Sequence, residues 1–189
     1  MTSPIPADFA DALASLRGHR FRAEVHLEEI PAPTRIAPWA LALNAEVNPG
    51  DDPETMLGHG RFVVLYDPDG QPAWHGPFRV IVMAKAEVEV EMGLDPVLGE
   101  AGWSWLTDAL DDVGAGHHHL SGTVTRVLSE TFGGLTLESN ATQMEIRASW
   151  TPYTTDLGPH LQAWVGLLTA LCGLAPVDEG VTVLGRRTP

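Results

Sequence analysis

The alternation of side chains from Phe78 to Met92 constrains the fold more than any other feature of the sequence. Side chains two residues apart lie on the same face of a strand, so the pattern predicts a long β-strand with one buried face. Three glutamates, Glu87, Glu89 and Glu91, then share the other face at intervals of about 7 Å. They could bind a divalent cation, but a solvated strand face is the favoured interpretation.

Similar alternation predicts five further strands, at residues 21–28, 39–47, 60–66, 119–132 and 144–152. Between the first two strands, Pro31, Pro33 and Pro38 exclude a helix and a central strand, so a stiff extended loop is predicted there. The residues Asp67-Pro68-Asp69-Gly70 predict a turn after the third strand.

Apolar residues spaced for one helical face predict three helices, at residues 6–16, from 95 to about 113, and 156–172. Asp95 and Asp156 are the expected caps of the second and third helices, and Gly114 and Gly173 are the expected stops. The predicted order is helix, three to four strands, helix, two strands, helix. Short turns between consecutive strands imply antiparallel pairing, so we predict an α+β fold with a single antiparallel sheet of about five or six strands.

The length and charge of the chain limit its domain count and its partners. A single domain is predicted for residues 1–176, followed by a tail at 177–189, because no linker divides the chain and one core suffices for this length. The chain has 25 acidic and 11 basic residues, a formal net charge of −14. The resulting negative potential argues against direct binding of nucleic acid or of anionic membranes.

The sequence also predicts a cytoplasmic location. It shows neither a signal-peptide pattern nor an apolar run long enough to span a membrane. Its single cysteine, Cys172, cannot form an internal disulfide, which is typical of a reducing compartment. No nucleotide-binding, zinc-finger or kinase motif is present, so no cofactor is predicted.

The run His117-His118-His119 is the candidate metal-binding feature. In an extended segment His117 and His119 share a face and could bind one ion together. Against this, a Gly-rich entry into a strand commonly holds solvated histidines, and no paired His or Cys motif completes a site. A surface loop is therefore the favoured interpretation.

The candidate binding residues are charged or aromatic. A polar pocket between sheet and helices would use the proline-rich loop, the last strand and the last helix, with Glu28, Glu29, Arg35, Arg147, Trp150 and His160 as its members. Trp103 and Trp105 point about 200° apart on a helix, so one would pack inward while the other faces solvent or a partner. Trp164 follows His160 by one helical turn, and the two could form a stacking wall or simply pack between helices. No catalytic residue is assigned.

Four segments carry a family resemblance: residues 27–38, 60–63, 102–106 and 147–152. They resemble the signatures of an actinobacterial family known as domain of unknown function 3000, over nearly the whole chain. The resemblance implies no activity and no catalytic residues, and the histidine run does not belong to the family pattern. The order of elements is also similar to that of class I type III secretion chaperones and their YbjN-like relatives, which are small, acidic, usually dimeric proteins that bind polypeptides.

Two classes of function remain. The preferred hypothesis is a non-enzymatic, chaperone- or adaptor-like module that binds another protein, with a homodimer as one option. It is supported by the acidic charge, by six tryptophans and by the absence of a catalytic constellation. The alternative is an enzyme or small-molecule-binding protein with a polar pocket between sheet and helices.

Overall fold

The computed structural model describes residues 4–134 and 142–176. In chain order its elements are α1 (Ala7–Ser15), β1 (Val25–Ile30), β2 (Trp39–Val47), β3 (Gly58–Gln71), β4 (Gly76–Val88), α2 (Val90–Leu94), α3 (Leu98–Asp112), β5 (His117–Leu128), β6 (Thr142–Pro152) and α4 (Gly158–Leu171). The six strands form one sheet in the order β1-β2-β3-β4-β6-β5, and all hydrogen-bonded neighbours are antiparallel. The predicted α+β class with an antiparallel sheet is confirmed.

The insertion of β6 between β4 and β5 explains why helices interrupt the run of strands. β4 and β5 each pair antiparallel with β6, so they run parallel to one another. A parallel relation cannot be made by a tight turn and needs a longer crossover, which α2 and α3 supply. No helix of the described residues reaches the length and apolarity needed to cross a membrane.

One face of the sheet, called the covered face below, packs against helices. The alternating small and apolar residues predicted for β4 lie there, and Val80, Val82, Ala84 and Ala86 are all buried. They join residues of α1, α3 and α4 in the main hydrophobic core. The spacing of apolar residues that predicted the last helix is confirmed by the burial of α4.

The opposite face, called the open face, has a smaller core. Within the described residues it consists of Ala42, Val63, Leu65 and Trp74, with no helical residue among them. Parts of the proline-rich connection between β1 and β2 pack on this cluster, through Ala32 and Ala37. The loop therefore covers one end of the open face, and no second layer of described residues covers the rest.

The prediction that three glutamates share one face of the long strand is wrong. β4 ends at Val88, and Glu89 lies at the start of α2, where its carbonyl accepts the N–H of Gly93 at 2.8 Å. Glu91 is part of that short helix. Only Glu87 remains on the strand, so three carboxylates do not line one strand face.

Two other boundaries differ for local reasons. The predicted first strand began at residue 21, but residues 22–25 form a turn closed by a Val25 N–H to Arg22 carbonyl bond of 3.1 Å. The predicted turn at 67–70 instead lies within β3 as an irregularity, with Gly70 at a φ of 71°. The hairpin closes five residues later, at 72–75.

The remaining boundaries shift by a few residues. β5 starts at His117 and ends at Leu128, whereas 119–132 was predicted, and α3 starts at Leu98, three residues after Asp95. The predicted helix ends at Gly114 and Gly173 are confirmed, since these glycines have φ values of 66° and 74°. The predicted tail at 177–189 lies outside the described residues.

Candidate functional site

Three predicted binding residues lie in the core under the covered face. Trp150 and Trp164 are fully buried and His160 is 2 % exposed. The indole N–H of Trp150 donates to Nδ1 of His160 at 2.9 Å, and the indole N–H of Trp164 donates to the carbonyl of Met83 at 3.0 Å. Both indoles therefore satisfy their polar atom inside the core, as buried tryptophans must.

His160 acts as a hydrogen-bond acceptor in this core. Burial lowers its pKa to about 4, with a further contribution from nearby His117. The ring is consequently neutral near pH 7, and the bond from Trp150 requires that Nδ1 carry no proton. The planes of the two rings are 26° apart with centroids 6.1 Å apart, so the His160 ring lies against the Trp150 indole.

The two tryptophans of α3 face different neighbours. Trp103 packs over Gly122 of β5, where a Cβ atom would lie 2.8 Å from the indole ring. Trp105 lines a groove between α3 and α4. Both also pack partly against the main core, so neither stands free on the surface.

The charged residues predicted for one pocket do not converge. Glu29 and Arg35 are exposed on and beyond edge strand β1. Glu28 accepts a hydrogen bond from the amide of Asn44 at 3.4 Å. Strand pairing places Glu28 in the same row as Arg147 but four strands away, which is about 19 Å at the usual strand spacing.

The predicted pair of His117 and His119 does not converge on one ion. His117 makes a 2.8 Å hydrogen bond through Nδ1 to the carbonyl of Ala115. His119 lies in an irregularity of β5 with a φ of 53° and stacks on His75, with ring centroids 3.8 Å apart. Within residues 4–134 and 142–176, no group of three or more His, Cys, Asp or Glu is placed to hold a metal ion.

The open face carries a site that the sequence did not reveal. Arg61 on β3, Met83 on β4 and Arg147 on β6 are successive register partners and form one row across three strands. The two arginine Cα atoms are therefore about 10 Å apart, with the methionine between them. In the next row that faces the same side of the sheet, Val63 pairs with Ile81.

These side chains line a cleft of about 190 Å³, whose members are Arg61, Val63, Ile81, Val82, Met83 and Arg147. Ile81 is 36 % exposed, which leaves an apolar floor open to solvent. Arg147 is 66 % exposed and forms an ion pair through Nε with Glu145, which raises the pKa of the guanidinium. The cleft thus combines an apolar floor with a fixed positive charge on each side.

Arg147 is the one predicted binding residue in this cleft, whereas Arg61, Ile81 and Met83 were missed. Alternation indicated only that the glutamates predicted for β4 face away from the core, and it did not bring Arg61, Met83 and Arg147 together. Their convergence depends on the register between strands distant in sequence, which no local pattern encodes.

Comparison with known proteins adds a family but no activity. No curated protein matches the chain, and no solved structure matches it either. The similarity to secretion chaperones and YbjN-like proteins therefore stays a prediction. A family model described as protein of unknown function (DUF3000) matches residues 5–182, nearly the whole sequence. This confirms the resemblance noted in the sequence, and the chain belongs to the DUF3000 family of proteins of unknown function.

Proposed function

We propose that this protein is a non-enzymatic binding module that recognises an acidic segment of another protein on the open face of its sheet. The observation that carries the proposal is the cleft between Arg61 and Arg147. An adaptor- or chaperone-like role fits a surface of this kind, because it offers groups suited to recognition, and the Glu145 carboxylate beside it is held in an ion pair with Arg147.

The size of the cleft favours a peptide side chain over a small molecule. Pockets for small ligands usually measure about 300–1,000 Å³ and enclose most of the ligand. The cleft measures about 190 Å³ and is open to solvent, which suits a single apolar side chain as an anchor. A peptide would add contacts on both sides of that anchor, which a small molecule of this volume could not do.

The charge of the cleft favours acidic residues beside the anchor. The chain as a whole has a net charge of −14, so positive potential is the exception on its surface. Arg61 has no ion-pair partner among the described residues, and Arg147 uses only its Nε atom toward Glu145. Guanidinium groups bind carboxylates with charge-assisted, often bidentate hydrogen bonds. We therefore expect a motif in which carboxylates flank an apolar residue.

The alternative, an enzyme or a small-molecule-binding protein, has less support. A groove of about 320 Å³ between α3 and α4 is large enough for a ligand, and its polar rim includes Asp108, Asp112 and Gln162. However, no basic residue of the described ranges lines this groove to work with the two carboxylates. The buried groups are unsuited to acid–base chemistry near pH 7, since burial moves the pKa of His160 to about 4 and that of Cys172 to about 11.

The homodimer and the cytoplasmic location are further parts of this proposal. Edge strand β5 has twelve residues and no carboxylate, and Val127 and Leu128 are nearly half exposed, so a second copy could pair there. Light scattering between about 10 and 200 μM tests this, and a monomer mass throughout would remove the dimer from the proposal. The single cysteine supports the cytoplasm, because no internal disulfide is available.

The function is tested by selecting a displayed library of random peptides against the purified chain. We expect enrichment of motifs with Asp or Glu on both sides of a Leu, Ile, Met or aromatic residue. A parallel selection on the double variant Arg61→Ala, Arg147→Ala should lose that motif. Enrichment of basic peptides, or the same motif on both proteins, would overturn the proposal.

A further inference from the structure

A cluster of basic side chains lies at one end of the open face and shares no residue with the cleft. It contains Arg79 of β4, His75 of the 72–75 turn, and His118 and His119 of β5. The rings of His75 and His119 are stacked at 3.8 Å, and the Nδ1 atoms of His118 and His119 are 2.6 Å apart. The four groups come from three parts of the chain that only the folded sheet brings together.

Arg79 is the buried member and has no counter-charge in the part of the chain that the structure describes. It is 8 % exposed. Its guanidinium donates to the hydroxyl of Thr151 at 3.1 Å and to the hydroxyl and carbonyl of Ser149 at 2.8 and 3.3 Å. These partners are neutral, and the two ion pairs of the described residues are formed by Arg22 and Arg147. A buried charge with only neutral partners is unfavourable, and a nearby anion would stabilise it.

The histidines above Arg79 likewise have no acidic partner among the described residues. The pKa of His119 is lowered, first by burial and then by the positive charges of His75, His118 and Arg79. No carboxylate of residues 4–134 or 142–176 opposes this effect. The cluster is therefore a local group of basic side chains in an acidic protein.

We propose that this cluster binds an oxyanion, namely the phosphate or carboxylate group of a ligand. The contact between the Nδ1 atoms of His118 and His119 leaves both Nε2 atoms available to an anion. Arg79 supplies positive potential from beneath the rings, and the exposed ring of His75 flanks them. The site is separate from the Arg61–Arg147 cleft, so it does not depend on the proposed function.

Anion binding at this site is coupled to protonation. The titratable or charged groups that face His119 are His75 from the turn, Arg79 from β4 and His118 from its own strand. All of them are basic, so an added proton is unfavourable until an anion offsets it. Binding of a carboxylate such as acetate, whose own charge is constant over this range, should therefore tighten as the pH falls from 8 to 6, because the anion favours the protonated form of His119.

The test is a titration of the full chain with sodium phosphate at pH 6.5, followed through the imidazole NMR signals. We expect saturable shifts at His75, His118 and His119 with a Kd of about 1 mM, and no comparable shift at His26 or His59. Sodium chloride at matched ionic strength is the control. Sodium acetate separates the two ligand sources, since saturation by acetate alone assigns a carboxylate and saturation by phosphate alone assigns a phosphate.

Two variants make the outcome decisive. Arg79→Gln removes the buried charge but endangers the fold, so the double variant His75→Asn, His119→Asn is measured in parallel. The surface pair should weaken phosphate binding at least tenfold while leaving the melting temperature within a few degrees. Shifts that chloride reproduces, or that survive in the double variant, would overturn the site. Tight binding of zinc without any response to phosphate or acetate would overturn it as well.

Discussion

The two faces of the sheet differ in how deeply the side chains of the same strand are buried, and β6 shows this most clearly. Trp150 points into the core and donates to His160, whereas Arg147, three residues earlier, points to the open face beside Met83. Both residues had been assigned to one pocket from the sequence. Their odd spacing on a strand places them on opposite faces, so one stabilises the fold and the other is available to a partner.

The same division extends to β3 and β4. Their covered sides supply Phe62, Val64, Val80 and Val82, all nearly inaccessible to solvent. Their open sides include the floor of the cleft, where Ile81 remains partly exposed. Substitutions on the covered face should therefore reduce stability, whereas those on the open face should reduce binding.

The largest effect is expected for Trp164→Ala. The side chain is fully buried, packs on Phe62 at 5.5 Å between ring centroids, and donates to the carbonyl of Met83. Its removal should lower the free energy of unfolding by about 3–5 kcal/mol. Urea denaturation of the variant measures this. Arg147→Ala is the open-face control and should change the same quantity by no more than about 0.5 kcal/mol. Equal losses in both variants would remove the distinction between the faces.

The next largest loss of stability is expected for Gly60→Ala, because the surroundings of Gly60 are closely packed. A Cβ atom there would lie 2.6 Å from the carbonyl oxygen of Met83 and 2.9 Å from the Trp164 ring. Gly60→Ala should therefore destabilise the protein, toward the upper end of about 1–3 kcal/mol. Gly99→Ala is the matched control, because Gly99 lies in α3 with no atom within 4 Å of the added methyl. That control should be neutral or stabilising by up to about 1 kcal/mol, and the reverse ranking by urea denaturation would contradict the packing described.

A smaller loss of stability is expected at acidic pH, and it comes from His160. The pKa of His160 falls from 6.5 to about 4 on folding, so its contribution to stability is present above pH 6.5 and is lost as the pH falls toward 4. Between pH 7 and pH 5 the loss should be about 2 kcal/mol. In His160→Gln, which keeps an acceptor for Trp150, this part of the pH dependence should disappear. An unchanged pH profile would show that His160 titrates normally in the folded protein.

Much of the fold could be predicted because local chemistry decides it. Alternation marked the strands, and the glycines at 114 and 173 adopt the positive φ that ends α3 and α4. The glutamate row failed because alternation continues past Val88, while the chain there enters a short helix. The turn at 67–70 failed because the same residues that form a turn also form an irregularity inside β3.

The candidate site was less accessible to sequence reasoning. Aromatic and charged residues were selected for their chemistry, yet burial assigns Trp150, His160 and Trp164 to the core. The cleft instead requires Arg61 and Arg147 to align across β4, a relation between residues 86 positions apart in number that rests on two strand registers. Such non-local pairing is set by the assembled sheet.

The variant of the two cleft arginines should show the smallest loss of stability and the largest loss of binding. Arg61→Ala and Arg147→Ala, together, should leave the free energy of unfolding within about 1 kcal/mol of the parent value, because both side chains are exposed. Arg35→Ala is the matched control, since Arg35 is an exposed arginine outside the cleft. Thermal and urea unfolding of the three proteins establish that any change in binding does not come from unfolding.

The most direct test of the open face as a binding surface is the affinity of these proteins for one acidic peptide from the selection, measured by fluorescence anisotropy. We expect the double variant to bind at least tenfold more weakly than the parent chain, and Arg35→Ala to bind within twofold of it. Affinity for the parent should also fall between 50 and 500 mM salt. Equal affinity of the double variant and the parent would contradict the account.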